Sequence, residues 1–227
     1  MTAYFSETDD AGHTYGPDSP QVDTAIARAD SAVGAIVDGI VKAGLAGKVN
    51  IIVVADHGMA AVSTTRRIYL DDYIAMDSVD VIDWTPVGAI APKPGREKYV
   101  YEKLHNAHPR MAVYRKGEVP ARLHFNAHKH ITPIVAIADE GWSITTRVRA
   151  ARVPVPASAN GGAHGYDNLL PSMGALFVAA GPAFKSGLTV KPFQNVHVYS
   201  LIAQLLGINP VATDGSVDSI RALLKPR

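Results

Sequence analysis

The order of apolar patterns along this chain predicts an α/β fold, and three observations carry the prediction. Residues 21–46 repeat apolar side chains at a helical period. They lead into Asn50-Ile51-Ile52-Val53-Val54-Ala55, a continuous β-branched run of the kind expected for a strand covered on both faces in a parallel sheet. A second apolar run, residues 174–180, ends in Gly181-Pro182 and is followed by an apolar helical stretch over 196–206 that Gly207 closes.

Taken in order, the chain opens with a strand-like Ala3-Tyr4-Phe5. The stretch YFSETDDAGHTYGP then sets Glu7, Asp9, Asp10 and His13 around a glycine. By composition alone such residues make an ordinary solvated turn. Pro17-Asp18-Ser19-Pro20 separates this stretch from the predicted helix, whose apolar positions include Val22, Ala25, Ile26, Ala29, Val33, Ile36 and Val37. The β-branched run stops at Asp56-His57-Gly58, and in open α/β sheets ligands bind at the carboxyl ends of strands. Residues 66–142 are less regular, with strands expected near 79–84, 111–114 and 134–138 and a helix over 96–106. This region is read as a cap or insert, with residues 1–227 together forming the C-terminal portion of a single domain. The later elements are a buried helix at 196–206 and a final helix at 217–224.

Composition narrows the function. The 22 basic and 21 acidic residues are well mixed, so the chain has no polycationic face to follow a nucleic-acid duplex. No apolar run reaches the roughly 18 residues that a membrane span needs, and the N-terminus lacks the basic and apolar regions of a signal peptide. With 0 cysteines, disulfides and thiolate metal sites are excluded, which leaves histidine and carboxylate as metal ligands.

Of the 9 histidines, six have bland explanations. His105 and His108 flank a predicted helix end, where a basic group suits the helix dipole. His124, His128 and His130 lie in RLHFNAHKH, which has no acidic residue and a lysine that repels cations. His197 falls in an apolar helix and reads as a satisfied core residue. The other three stand beside glycine with a carboxylate near: Asp9 with His13, Asp56 with His57, and His164 in GGAHGYDN. Mixed Asp and His ligands suit zinc, and two such clusters fit a pair of ions about 4 Å apart that clamps both oxygens of a phosphoryl displacement.

Four motifs in order, Tyr4-Phe5-Ser6-Glu7-Thr8-Asp9-Asp10-Ala11-Gly12-His13, Ala55-Asp56-His57-Gly58-Met59, Gly162-Ala163-His164-Gly165-Tyr166-Asp167-Asn168 and Phe177-Val178-Ala179-Ala180-Gly181-Pro182-Ala183-Phe184, resemble bacterial nucleotide pyrophosphatase/phosphodiesterases of the alkaline phosphatase superfamily. The resemblance implies an alkaline-phosphatase-like, mixed and mostly parallel sheet flanked by helices. It implies zinc-dependent hydrolysis of nucleotide phosphodiester and pyrophosphate bonds, with release of nucleoside monophosphates, in a periplasmic or secreted protein. Asp9, His13 and His164 would hold one zinc, Asp56 and His57 the other, and Tyr4 would lie against the nucleotide base.

The family's second zinc also takes an aspartate and a nucleophilic threonine, both upstream of the first motif. Only three residues precede Tyr4. The expectation is therefore the C-terminal part of a catalytic domain, with its nucleophile outside this chain and one firmly bound zinc. Its expected partners are nucleotides and either the missing segment or a second copy. Thr14 neighbours His13, but nothing marks it as activated. Asp10 or Asp167 are the residues that would replace absent ligands if two ions were held tightly. Two other readings stay open: a phosphomonoesterase or sulfatase of the same superfamily, and a metal-binding fragment without catalysis.

Overall fold

The computed structural model describes residues 1–84, 86–152 and 161–226. In chain order the elements are α1 (Glu7–Tyr15), α2 (Pro20–Lys42), β1 (Ile51–Val54), β2 (Ala60–Ala61), β3 (Arg67–Tyr69), β4 (Val79–Asp83), β5 (Val87–Pro92), α3 (Glu97–Leu104), β6 (Met111–Arg115), β7 (Ile134–Ala138), β8 (Ser143–Thr145), α4 (Arg147–Arg152), β9 (Gly162–Ala163), β10 (Phe177–Ala180) and α5 (His197–Leu206). The chain forms two compact units, Met1–Ser31 with His57–Gly174, and Ala32–Asp56 with Ala175–Arg227.

The first unit is built on a four-stranded antiparallel sheet in the order β4-β5-β7-β6. Its strands lie inside the predicted insert, and short connections such as the one between β4 and β5 favour antiparallel neighbours. Alternation along the strands sends Ile90, Val113, Ile134 and Ala136 into a core that Ile68, Leu70, Val100, Leu104 and Ile144 complete. Two smaller ladders join this unit: β3 pairs parallel with β8, and β2 pairs antiparallel with β9, Ala60 opposite Ala163 and Ala61 opposite Gly162. The second ladder sets the position of the His164 loop.

In the second unit β1 pairs antiparallel with β10, Ile51 opposite Ala180 and Val54 opposite Phe177. Leu201, Phe184, Ile220 and Leu223 form its core, with Ile52, Phe177 and Ala179 packed against them. α5 ends at Gly207, which takes the left-handed conformation and carries the cap hydrogen bonds.

Several expectations are corrected. Residues 3–5 form no strand, and an isolated extended segment without a ladder partner has nothing to hold it. The polar stretch after them is a helix, not a turn. β1 is not covered on both faces: Val178, which pairs with Val53, is 51% exposed. Its β-branched composition specifies a strand; Ile52 packs on the core with Phe177 and Ala179, while the face of Val53 and Val178 is open. Among the described residues five strand pairs are antiparallel and one parallel, so the mixed sheets of this chain are not mostly parallel. α2 starts at Pro20, where Ser19 Oγ accepts a hydrogen bond from Val22 N at 3.3 Å, the arrangement of an N-cap followed by proline. The final helix is a 3-10 helix, Val217–Leu223, with Arg221 donating to Asp218 three residues back. His197 begins α5 outside the core, and its Nδ1 accepts from Ser216 N at 3.0 Å.

Candidate metal centre

α1 sets the first two candidate ligands. Glu7, Asp9 and Asp10 stand in its first turn, where carboxylates meet the positive end of the helix dipole. Ser6 Oγ donates to Asp10 Oδ2 at 3.0 Å. Asp9 and His13 are four residues apart, so both project from one face. That face lies against β9 at very close range: a Cβ placed on Gly162 would stand 2.5 Å from the Gly12 carbonyl oxygen. Glycine at 162 lets helix and strand approach, and the ladder of β9 with β2 then carries the chain to His164.

His13 Nδ1 donates to Gly162 O at 2.9 Å, which leaves Nε2 as the lone-pair nitrogen. Nε2 is 3.5 Å from Asp9 Oδ2, and His164 Nε2 is 3.7 Å from Asp9 Oδ1. Both separations are too long for hydrogen bonds. One ligand atom from each of Asp9, His13 and His164 lies within 4.8 Å of the others. Asp9 Oδ1 is buried and accepts no hydrogen bond. A buried carboxylate oxygen without a hydrogen-bond donor beside two imidazoles is a place where a cation would be favourable, and this donor set suits zinc.

His57 completes the cluster's wall. Its ring stacks on His164 with centroids 3.5 Å apart and planes 10° apart, and its Nδ1 donates to Gly58 O at 2.9 Å. Gly58 lies so close to the 171–174 turn that a Cβ there would sit 2.0 Å from Ser172 O. The glycine after His57 is therefore a packing requirement.

Other candidate residues are not members of this three-ligand group. Asp56 is exposed and its backbone carbonyl accepts from Asn195 Nδ2 at 3.2 Å. Tyr4 is 80% exposed. Thr14 is an exposed residue of α1. Asp10 is engaged by Ser6 and Asp167 by Arg122, so neither carboxylate is idle. Among the described residues the three-ligand group is made by Asp9, His13 and His164, and His124, His128 and His130 form no comparable group.

Sequence reasoning missed the supports of this centre. The Asp-x-x-x-His spacing is itself a helical signal, obscured by the Gly inside the motif and the Thr on either side of it. The His164 loop is fastened at Tyr166, 5% exposed, whose hydroxyl donates to Trp142 O at 2.9 Å. Burial raises the Tyr166 phenol to about 12. Beside this loop opens a cleft of about 930 Å³, floored by Val87, Ala89, Ala112 and Ile137 and walled by Tyr114 and Phe125.

Residues 1–167 match the family described as type I phosphodiesterase / nucleotide pyrophosphatase. Human ectonucleotide pyrophosphatase/phosphodiesterase family member 5 is 38% identical over 221 residues, 97% of this chain and 45% of its own length. The mouse protein named bis(5'-adenosyl)-triphosphatase is 37% identical over 222 residues, 97% of this chain and 47% of its own. A solved murine family member 5, an inactive threonine-to-alanine form in complex with AMP, superposes with a TM-score of 0.85 at 39% identity, covering 96% of this chain and 56% of that one. The chain spans about half the length of the curated relatives it matches. The likeness establishes the alkaline-phosphatase-like α/β fold. These relatives are animal proteins, so they do not carry the bacterial assignment that the motifs suggested. No helix among the described residues is long and apolar enough to cross a membrane. With its own motifs and its relatives in agreement, the chain belongs to the type I phosphodiesterase / nucleotide pyrophosphatase family of hydrolases.

Proposed function

We propose that this chain supplies the metal-binding half of an enzyme that hydrolyses phosphodiester and pyrophosphate bonds of nucleotides and releases nucleoside monophosphates outside the cytosol, as a periplasmic or secreted protein. The observation that supports it most is the convergence of Asp9, His13 and His164 around a buried carboxylate oxygen without a donor. Asp9, His13 and His164 would hold one zinc, and by resemblance Asp56 and His57 supply ligands to a second. When bound, zinc supplies Lewis acidity toward a phosphoryl oxygen and toward water.

The residues of this chain do the rest by position. The Gly162 carbonyl keeps the His13 proton on Nδ1. The His57 ring covers one face of His164 and keeps water from it. Exposed Tyr4 offers a ring on which a base can stack. The nucleophilic threonine is assigned to polypeptide outside residues 1–227, a reading that the greater length of the relatives and the inactive threonine-to-alanine form support.

The test uses a chromogenic nucleotide diester, with p-nitrophenyl phosphate and p-nitrophenyl sulfate as the monoester and sulfate comparisons. The chain alone is expected to be slower than the complete enzyme by several orders of magnitude, as when a nucleophile is removed. Addition of a polypeptide carrying the upstream Asp and Thr should restore diester hydrolysis, and His13→Ala should abolish what was restored. Turnover by the chain alone at about 1 per second or faster would place the nucleophile within residues 1–227. Preference for the monoester or the sulfate would favour the sister activities.

A further inference from the structure

The loop that carries His164 has no helix or strand to hold it: residues 164–168 lie beyond β9 in irregular structure. Its attachments are nevertheless specific. Gly165 takes φ +93°, a conformation that side-chain-bearing residues rarely adopt, and Tyr166 is anchored through Trp142 O. The third attachment comes from Arg122, 45 residues earlier, in the 3-10 turn Ala121–Leu123 of the inserted region. Arg122 Nη1 donates to Asp167 Oδ1 at 2.8 Å and to Asn168 Oδ1 at 3.1 Å, while Nη2 closes the fork on Asp167 Oδ2. Asp167 Oδ1 also accepts from Leu169 N at 3.0 Å, so the carboxylate is tied to its own backbone as well as to the guanidinium. The pair holds its charges firmly: the hydrogen bonds raise Arg122 and lower Asp167 relative to their ordinary values.

We propose that Arg122 is a positioning residue for the candidate metal ligand His164: its fork onto Asp167 and Asn168 fixes where that imidazole stands relative to Asp9 and His13, and thereby sets the affinity of the centre for zinc. The inference rests on the metal-centre reading above. Two magnitudes separate positioning from general support. The Arg122 and Asp167 side chains are 41% and 38% exposed, and ion pairs this open contribute little to stability. Metal coordination, by contrast, tolerates ligand displacements of only about 0.2 Å. Loss of the fork should therefore weaken zinc binding far more than it weakens the fold. Lysine keeps the charge but not the two-pronged geometry, so Arg122→Lys should fall between wild type and Arg122→Ala.

The experiment measures zinc affinity of the full chain by competition with a chromogenic chelator, together with thermal unfolding and amide hydrogen exchange of the metal-free protein. Arg122→Ala and Asp167→Ala should each lose about tenfold in affinity, the lower end for supports that act behind a metal ligand. The double variant should lose no more than either single one. Metal-free midpoints should move by less than about 3 °C, while amides of residues 164–170 exchange faster in Arg122→Ala. Affinities within twofold of wild type, losses that multiply in the double variant, or unchanged exchange at 164–170 would each overturn the clamp. His164→Ala separates the two readings. If it binds zinc as tightly as wild type, the metal centre is misassigned and the affinity claim falls with it. If it binds weakly while Arg122→Ala is unaffected, the clamp alone is wrong.

Discussion

Gly162→Ala is the most demanding test of how the candidate centre is assembled. The added methyl would stand 2.5 Å from Gly12 O, 2.7 Å from Met59 Sδ and 2.8 Å from Met59 Cγ. Ordinary contact needs roughly 3.5 Å, so α1 must retreat from β9 by about 1 Å. That helix carries Asp9 and His13, while His164 stays with β9, so the retreat opens the triad along the direction in which its ligand atoms converge. It also stretches the 2.9 Å bond from His13 Nδ1 to Gly162 O that sets the tautomer. Overpacking of this kind costs about 1–3 kcal/mol, which lowers the midpoint by roughly 2–4 °C per kcal/mol in a chain of this size. Zinc affinity should fall at least tenfold in chelator competition, in keeping with the narrow geometric tolerance of metal sites, within about 0.2 Å. Gly12→Ala is the control, because its methyl meets Met59 Cε at 2.9 Å, the mobile end of a flexible side chain. The better helix propensity of alanine, about 1 kcal/mol over glycine, offsets that contact. A Gly162→Ala protein with wild-type zinc affinity and midpoint would refute the close helix–strand approach as the frame of the site.

Metal analysis after exhaustive dialysis should find nearer one zinc than two per chain, because Asp9, His13 and His164 give three contacts while Asp56 and His57 give two; two tightly held ions would require another ligand. Zinc at about 100 times its dissociation constant should stabilise the chain by roughly 2.7 kcal/mol, and His164→Ala should erase that gain in thermal melts. Tyr166 predicts an alkaline limit. Its folded pKa is about 12 against 10.0 for the ordinary phenol, so its contribution is complete below pH 10 and is lost as pH rises through 12. The loss is on the order of 2 kcal/mol, and Tyr166→Phe should flatten the difference in denaturation midpoint between pH 9 and 12; an unchanged slope would contradict the buried phenol.

What was legible in the sequence was chemistry and element type. The helical period over 21–46 produced α2, and the apolar runs at 79–84, 111–114 and 134–138 produced β4, β6 and β7. The environment of β1 was not legible, since Ile and Val in succession specify extended backbone whether one face or two are covered. The two-residue strands β2 and β9 were invisible because no period can be read from so few residues. They are nevertheless the elements that bring the HGYDN segment beside α1.

The candidate site divides in the same way. Asp9 and His13 are neighbours by the local geometry of one helix turn, and their spacing alone suffices to place them on one face. His164 reaches them through three long-range devices: a ladder between β2 and β9, the close approach of Gly162 to α1, and a guanidinium fork from the 3-10 turn Ala121–Leu123. None of these leaves a periodic trace, because each depends on residues more than forty positions apart. Gly162 carries a local hint, since a backbone on which an added Cβ would stand 2.5 Å from a carbonyl oxygen of another segment leaves no space for a side chain. A metal centre whose ligands are set partly by one helix and partly by a clamped loop can lose affinity without losing its ligands. On the proposed assignment, the positions expected to affect zinc affinity therefore include Gly162 and Arg122, which supply no ligand.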